Sequence, residues 1–108
     1  MKRGEIWWVR FERAEGGEQK KSRPAVIVSN DHFNTRLNRV QVVPLTSSTA
    51  RVFSTEALVR VRRRRNKAMA HQINTVSKSR LVNRMGKATR AEMLKLERAI
   101  QIQLGLLT

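Results

Sequence analysis

The sequence predicts a mainly β fold of the α+β class, in which short strands form one curved sheet and a helix ends the chain. Short runs of apolar and β-branched residues recur along most of the chain, separated by polar or glycine-bearing segments. The last part of the chain instead carries apolar residues at helical spacing. A chain of 108 residues suffices for one hydrophobic core, so we expect residues 1–108 to form a single domain.

The first two strands flank a long polar segment. Residues 4–11 are rich in aromatic and β-branched side chains, which favour a strand. Trp7 and Trp8 alternate there, so we expect one in the core and the other at a dimer interface or in solvent, with base stacking as the alternative. The segment 12–22 is long for a hairpin loop, and such loops often carry function. Pro24 cannot donate a ladder hydrogen bond, so the second strand is expected at about residues 25–29.

The middle of the chain predicts further strands at about residues 39–45, 55–61 and 68–76. The connections between strands are expected to be a turn at 29–31, a loop rich in Thr and Ser at 46–54, and an arginine-rich turn at 62–66. A short helical turn is expected at 77–81.

The last helix has a clear start signal. Thr89 and Glu92 have the spacing of a capping box, in which each side chain satisfies a backbone N–H of the other residue. Met93, Leu96 and Ile100 follow at helical spacing. One helix packed across a few short strands is typical of a small barrel of the SH3-like kind, so we expect about five to seven mostly antiparallel strands.

The charge of the chain is strongly unbalanced. Lys and Arg number 23 against 8 Asp and Glu, which gives a formal net charge of +15, while 40% of the residues are hydrophobic. A basic domain that can still fold favours a polyanionic partner, and solubility alone needs a much smaller excess. We expect no membrane association, because no long apolar run or amphipathic basic helix is present. The absence of Cys excludes a disulfide framework and a thiolate metal site.

Several short motifs follow one another along the chain: Arg3–Val9 (RGEIWWV), Gly17–Gln19 (GEQ), Arg23–Asn30 (RPAVIVSN), Val42–Ser47 (VVPLTS), Gln72–Val76 (QINTV), Ser77–Leu81 (SKSRL) and Gly86. In this order they resemble the MazF/PemK family of toxin endoribonucleases from bacterial toxin–antitoxin modules. The resemblance covers nearly the whole chain. It implies a homodimer of SH3-like barrels in the cytoplasm that cuts single-stranded RNA at short sequences without metal or cofactor. It also implies an antitoxin partner whose acidic, extended tail covers the RNA groove.

Cleavage of RNA without metal uses the neighbouring 2′-hydroxyl as nucleophile. The site must accept the proton of that hydroxyl, stabilise the charged phosphorane and protonate the departing 5′-oxygen. Arg23 is the first candidate, because its planar fork of donors fits phosphate oxygens and Pro24 fixes the chain beside it. The resemblance also implies an acid–base role for Arg23, but a guanidinium is a poor base, so we expect the phosphate clamp. Thr46 is the second, as a hydroxyl that donates to the phosphorane. Glu18 is the candidate for the proton acceptor, with a role in loop structure or substrate positioning as the alternative.

Contacts to RNA beyond the scissile phosphate are expected from cations and one aromatic ring. His71 stands where the family usually has an acidic residue, and we interpret it as a neutral strand residue that alters base preference or weakens activity. The alternative is an acid–base pair of His71 with His32. The expected RNA-binding residues are Lys20, Lys21, Ser47, Arg51, Phe53, Arg62, Arg63, His71 and Gln72.

Two other functions stay open from the sequence. One is a basic SH3-like module that binds nucleic acid without cleaving it. The other is a toxin of the same fold that poisons gyrase, so that a protein is the target. The motifs above resemble the ribonucleases rather than either of these, and fold alone supports little about function.

Overall fold

A computed structural model describes residues 1–11 and 22–107 of the chain. Its strands are β1 Glu5–Arg10, β2 Ser22–Ile27, β3 Arg39–Thr46, β4 Glu56–Val61, β5 Arg64–Met69, β6 Asn74–Ser77 and β7 Leu81–Lys87. Its α-helices are α1 Asp31–Arg36 and α2 Arg90–Gln103, and two 3₁₀ turns lie at Ala70–Gln72 and Lys78–Arg80.

The seven strands form one curled antiparallel sheet. Its order is β4-β5-β3-β2-β1-β7, and β6 pairs with the first part of β3. The register places Ile6 opposite Val26 and Val26 opposite Val43 across the three central strands. The terminal helix packs mainly against β4 and the first 3₁₀ turn. The expected fold, a mainly β α+β barrel of the SH3-like kind with a C-terminal helix, is confirmed.

The central strands are buried on both faces. Val26 belongs to an apolar cluster that includes Leu96 of α2, whereas the next residue, Ile27, belongs to a second cluster with Val40 and Val42. Successive side chains of a strand point to opposite faces, so a strand covered on both sides reads as an unbroken apolar run. This explains why the segment Ala25–Ile27 shows no polar alternation.

Helix α2 begins where the sequence predicts. The Thr89 hydroxyl accepts a hydrogen bond from the Glu92 N–H at 3.1 Å, and the Glu92 carboxylate accepts one from the Thr89 N–H at 2.8 Å. The second carboxylate oxygen of Glu92 also accepts the Arg60 N–H at 2.7 Å. The cap of the helix is therefore attached directly to β4, and it fixes the helix against the sheet.

Two boundaries near β2 differ from the predictions. Pro24 lies inside β2 rather than before it, because pairing with β3 starts only at Ala25 and β2 has β1 as its one partner at Pro24. The predicted turn at 29–31 is the start of helix α1, where the Asn30 side chain accepts a hydrogen bond from the Phe33 N–H. An Asn suits a helix cap as well as a turn, so composition alone did not separate the two.

The predicted fifth strand at 68–76 is also wrong in its bounds. The chain turns at Arg62 and Arg63 alone, so β5 already begins at Arg64. The 3₁₀ turn Ala70–Gln72 then separates β5 from β6, which pairs with the other end of β3. No helix among the described residues is long and apolar enough to span a membrane.

A candidate active-site cleft at the end of strand β3

A cleft of about 450 Å³ opens at the end of the sheet where β3 finishes. Its apolar part comes from side chains of five strands, and its polar part from arginines, hydroxyls and one amide. The described residues that line it are Trp8, Arg23, Pro24, Leu45, Thr46, Ser47, Val61, Arg62, Arg64, Asn66 and Met85. This lining contains three arginines and no carboxylate, so the cleft suits an anionic ligand.

The sheet register brings these distant residues together. Pro24 lies opposite Trp8 on β1, and Arg23 lies opposite Val9. The last residues of β3 pair with β5, which places Thr46 opposite Lys67. The start of β2, the end of β3 and the β4–β5 hairpin therefore meet at one end of the sheet.

Arg23 and Thr46 both reach this cleft, and both are half-buried. Among the described residues, none forms a hydrogen bond or an ion pair with the Arg23 guanidinium. The Thr46 hydroxyl accepts a hydrogen bond from the Ser48 N–H at 3.3 Å, which leaves the hydroxyl proton available to donate. Two donors of the kind that binds phosphate oxygens thus face the same space.

The β4–β5 hairpin supplies two more arginines through a strained turn. Arg62 and Arg63 have φ values of 49° and 70°, the left-handed region that side chains other than Gly and Asn rarely adopt. Each such residue costs about 1–2 kcal/mol. Arg62 lines the cleft with Arg64, and the buried Asn66 donates from its side chain to the Arg64 carbonyl at 3.3 Å. The strained turn carries Arg62 into the cleft lining, and backbone strain of this kind is often found at functional sites.

Beside the cleft lies a corner built on one buried carboxylate, formed by Arg51, Phe53, Glu56 and Lys67; we refer to it as the Glu56 corner. The Glu56 carboxylate accepts the Phe53 N–H at 2.9 Å and lies 3.2 Å from the Lys67 ammonium. Burial raises the pKa of Glu56, but these two hydrogen bonds, together with the charges of Lys67 and His71, hold that pKa below its usual value. The Lys67 ammonium also donates to the Arg51 carbonyl at 2.7 Å.

The Glu56 corner presents an exposed aromatic ring. Phe53 is 55% exposed, although it is a large apolar residue. The Arg51 guanidinium lies 5.7 Å and the Lys67 ammonium 5.8 Å from the centroid of its ring, distances within the range of cation–π contacts. The ring is therefore held in place next to cations, outside the cleft.

The predicted site residues fall into three groups. The cleft is lined by Arg23, Thr46, Ser47 and Arg62. Outside its lining lie Arg51, Phe53, Arg63, His71 and Gln72. Glu18, Lys20 and Lys21 lie outside the described residues.

The two histidines lie in short helical segments. His71 lies in the 3₁₀ turn Ala70–Gln72 rather than in a strand, and it is exposed. Its Nε2 lies 3.3 Å from the Gln72 side-chain amide. His32 lies in α1 and contacts the Arg36 guanidinium through Nδ1 at 2.8 Å. Neither ring is part of the described cleft lining.

Sequence reasoning missed several residues of the lining. Trp8 was expected in the core, at a dimer interface or in solvent, with base stacking as the alternative, and it lines the cleft. Asn66 is a polar residue 7% exposed, and Arg64 follows a turn whose bounds the sequence did not give. The one available signal was their spacing: Arg64 and Asn66 are two positions apart on one strand, so their side chains lie on the same face. Within the described part of the chain, no cluster of three or more His, Asp or Glu side chains could hold a metal ion.

Comparison with known proteins gives consistent matches over the whole chain. The model of the PemK-like, MazF-like toxins of type II toxin–antitoxin systems matches residues 2–104. Endoribonuclease MazF9 of Mycobacterium tuberculosis is 39% identical over 115 residues, covering 98% of each chain. A mycobacterial endoribonuclease solved in complex with its cognate antitoxin superposes with a TM-score of 0.81 and 28% identity, covering 100% of this chain and 98% of that one. MazF of Deinococcus radiodurans, at 20% identity, shares the fold with a TM-score of 0.82, covering 97% of this chain and 96% of that one.

Proposed function

The chain belongs to the PemK-like, MazF-like toxins of type II toxin–antitoxin systems, and from this membership we propose that it is an endoribonuclease. We propose one toxin domain over residues 1–108 that cuts single-stranded RNA at short sequences and so inhibits translation. The reaction needs no metal: the 2′-hydroxyl attacks the neighbouring phosphorus, and the 5′-oxygen of the next nucleotide leaves. The products carry a 2′,3′-cyclic phosphate and a 5′-hydroxyl.

The observation that carries this proposal is the cleft in which Arg23 and Thr46 meet without a neutralising carboxylate in the described lining. The Arg23 guanidinium binds two non-bridging oxygens of the scissile phosphate. The Thr46 hydroxyl donates to the phosphorane, whose extra negative charge develops only in the transition state. Arg62 and Arg64, from the same lining, bind the phosphates on either side.

The proton transfers require a second set of groups. Glu18, in the segment between β1 and β2, is the proposed acceptor of the 2′-hydroxyl proton, and the departing 5′-oxygen takes its proton from solvent. A guanidinium is a poor base and a good bidentate donor, so Arg23 acts as a clamp for the phosphate rather than as the base. Lys20 and Lys21, in the same segment as Glu18, add contacts to the RNA backbone.

The partners follow from the family and from the charge of the chain. The mycobacterial relative was solved with its cognate antitoxin, and we propose a cognate antitoxin here as well, with an acidic segment that competes with RNA for the cleft. A net charge of +15 favours both ligands. The proposed state is a homodimer in the cytoplasm.

Cleavage of a long RNA in EDTA tests the proposal. Purified protein is expected to give discrete products with 2′,3′-cyclic phosphate and 5′-hydroxyl ends, and end mapping then reports the sequence preference. Replacing the cleaved nucleotide by its 2′-deoxy form is expected to abolish cutting, because the nucleophile is gone. Arg23→Ala and Thr46→Ala should each lower kcat by about 10²- to 10³-fold, the usual cost of losing one transition-state donor.

Two substitutions of the same type serve as controls. Arg39→Ala removes an exposed arginine at the other end of β3, and Thr75→Ala removes an exposed threonine of β6. Both are expected to cut like the original chain. Cleavage that requires a divalent metal, or that proceeds at a 2′-deoxy nucleotide, would contradict the mechanism. RNA binding without cutting of any sequence would indicate a non-catalytic module, and inhibition of gyrase without RNA cleavage would indicate a protein target.

A further inference from the structure

The β4–β5 hairpin has two faces, and the side chains of one of them line the cleft. Val61 and Arg64 lie opposite each other in the register, and both belong to the cleft lining. Arg60 lies opposite Arg65. Because side chains alternate along a strand, this second pair lies on the other face of the hairpin, where both residues are exposed. We refer to that side as the outer face.

The outer face continues into the Glu56 corner. Lys67 follows Arg65 by two positions on β5, so it projects to the same side. The Lys67 ammonium contacts the ring of Phe53, and the Arg51 guanidinium contacts it as well. The outer face therefore carries four cations and one exposed aromatic ring, from Arg51, Phe53, Arg60, Arg65 and Lys67.

Most of this charge is not neutralised within the described residues. Arg60 and Arg65 are like charges in directly opposed positions, an arrangement that destabilises a sheet. Glu56 neutralises Lys67. The Glu92 carboxylate is engaged by two backbone N–H groups at the cap of α2. An anion bound at the outer face would relieve the repulsion between Arg60 and Arg65.

The backbone of Phe53 is fixed by two hydrogen bonds to Glu56, and two cations lie beside its ring. The Phe53 N–H donates to the Glu56 carboxylate, and the Glu56 N–H donates to the Phe53 carbonyl, each at 2.9 Å. The Lys67 ammonium fixes the preceding turn through the Arg51 carbonyl. An exposed ring that is already ordered loses little entropy when a base stacks on it.

We propose that the outer face is a second surface for single-stranded RNA, which holds the nucleotides that flank the bond cut in the cleft. Thr46 is the register partner of Lys67, and opposed residues of an antiparallel pair share a face, so Thr46 belongs to the cleft lining and also borders the outer face. Cations beside an exposed aromatic ring suit single-stranded RNA, whose phosphates bind the cations and whose bases stack on the ring. The carboxylates of an acidic peptide would bind the cations but would not stack on the ring. This inference rests on the proposed function, because it gives the outer face the same substrate.

The test measures binding of a fluorescein-labelled, 2′-O-methyl RNA of about 20 nucleotides at several salt concentrations. Arg60→Gln together with Arg65→Gln is expected to lower the slope of log K against log salt by about 1.4, since each phosphate contact of a single strand contributes about 0.7. Phe53→Leu is expected to weaken binding about tenfold with the salt slope kept, because it removes stacking and no charge. Losses should grow with the length of the RNA.

A matched control separates a local surface from net charge. Arg36→Gln with Arg39→Gln removes the same charge near the other end of β3, about 23 Å from Thr46 for an extended strand. Equal losses in this control and in the outer-face variant would overturn the proposal, as would stronger competition by polyglutamate than by RNA. A thermal melt of each variant checks folding. The probe has no 2′-hydroxyl, so a failed cleavage assay would sink the ribonuclease proposal and leave this measurement valid.

Discussion

Two cationic regions meet at the end of β3, and they differ in how their charges are compensated. In the Glu56 corner, Lys67 has a buried carboxylate partner and fixes the backbone of a loop. In the cleft, the described lining places Arg23, Arg62 and Arg64 together with no carboxylate among them. A compensated cation holds structure, whereas uncompensated cations attract a ligand that brings the missing charge. The comparison predicts that loss of a cleft arginine changes activity, whereas loss of the Glu56 carboxylate changes stability.

The largest effect is expected from Arg23→Lys. This variant keeps the charge but loses the planar fork that binds two phosphate oxygens at once. We expect kcat for RNA cleavage to fall about 100-fold, by analogy with the loss of one transition-state donor, while the free energy of unfolding stays within about 0.5 kcal/mol. Single-turnover kinetics and urea unfolding measure the two quantities. Arg62→Lys is the control, because a flanking phosphate needs only a point charge; an equal loss there would remove the distinction.

The next largest effect is expected in the Glu56 corner. Glu56→Gln keeps the shape of the side chain but removes the charge that accepts the Phe53 N–H and faces the Lys67 ammonium. Hydrogen bonds to charged groups contribute about 1.5–3 kcal/mol, so we expect a loss of about 2 kcal/mol in urea unfolding. Glu97→Gln breaks the half-exposed ion pair with Arg3 and should cost less than about 1 kcal/mol. Equal losses would show that burial of Glu56 is unimportant.

Some elements of the fold are predictable from the sequence because local signals mark them, and others are not because strand pairing decides them. The central strands and α2 follow from local signals, because burial on both faces produces the unbroken apolar run Ala25–Ile27 and the capping box needs only Thr89 and Glu92. The break between β5 and β6 has no such signal. It depends on β3, which pairs with β6 at one end and with β5 at the other.

The candidate site was predictable only in part, for the same reason. Arg23 and Thr46 stand out because short motifs surround them. Asn66 and Arg64 reach the cleft through the register of the β4–β5 hairpin, which depends on a turn without Asn or Gly. A sequence pattern gives the faces of a strand, but pairing decides which strands share a cleft.

That turn offers a third way to separate stability from activity. Arg62→Asn with Arg63→Gly installs the residues that a two-residue hairpin turn with positive φ prefers. We expect the protein to become about 1 kcal/mol more stable, because the relief of strain exceeds the entropy that Gly adds to the unfolded chain. RNA binding should weaken through the loss of two cations. Arg62→Gln with Arg63→Gln removes the same charge without relieving φ, so a gain in stability there would refute the strain argument.

The smallest effect is expected on the melting temperature when the pH is lowered. Hydrogen bonds to its ionised form hold the pKa of Glu56 below the usual value of 4.5 despite burial, so the carboxylate favours the folded state. This contribution is complete above about pH 4.5 and is lost as the pH falls through the lowered pKa of the folded protein, because the unfolded chain takes up the proton first. The melting temperature should therefore fall below about pH 4.5, and Glu56→Gln should reduce that fall. A steeper acid transition in Glu56→Gln would contradict this. It would mean that burial raises the pKa of Glu56 more than its hydrogen bonds lower it, so that the charge of the carboxylate does not stabilise the corner.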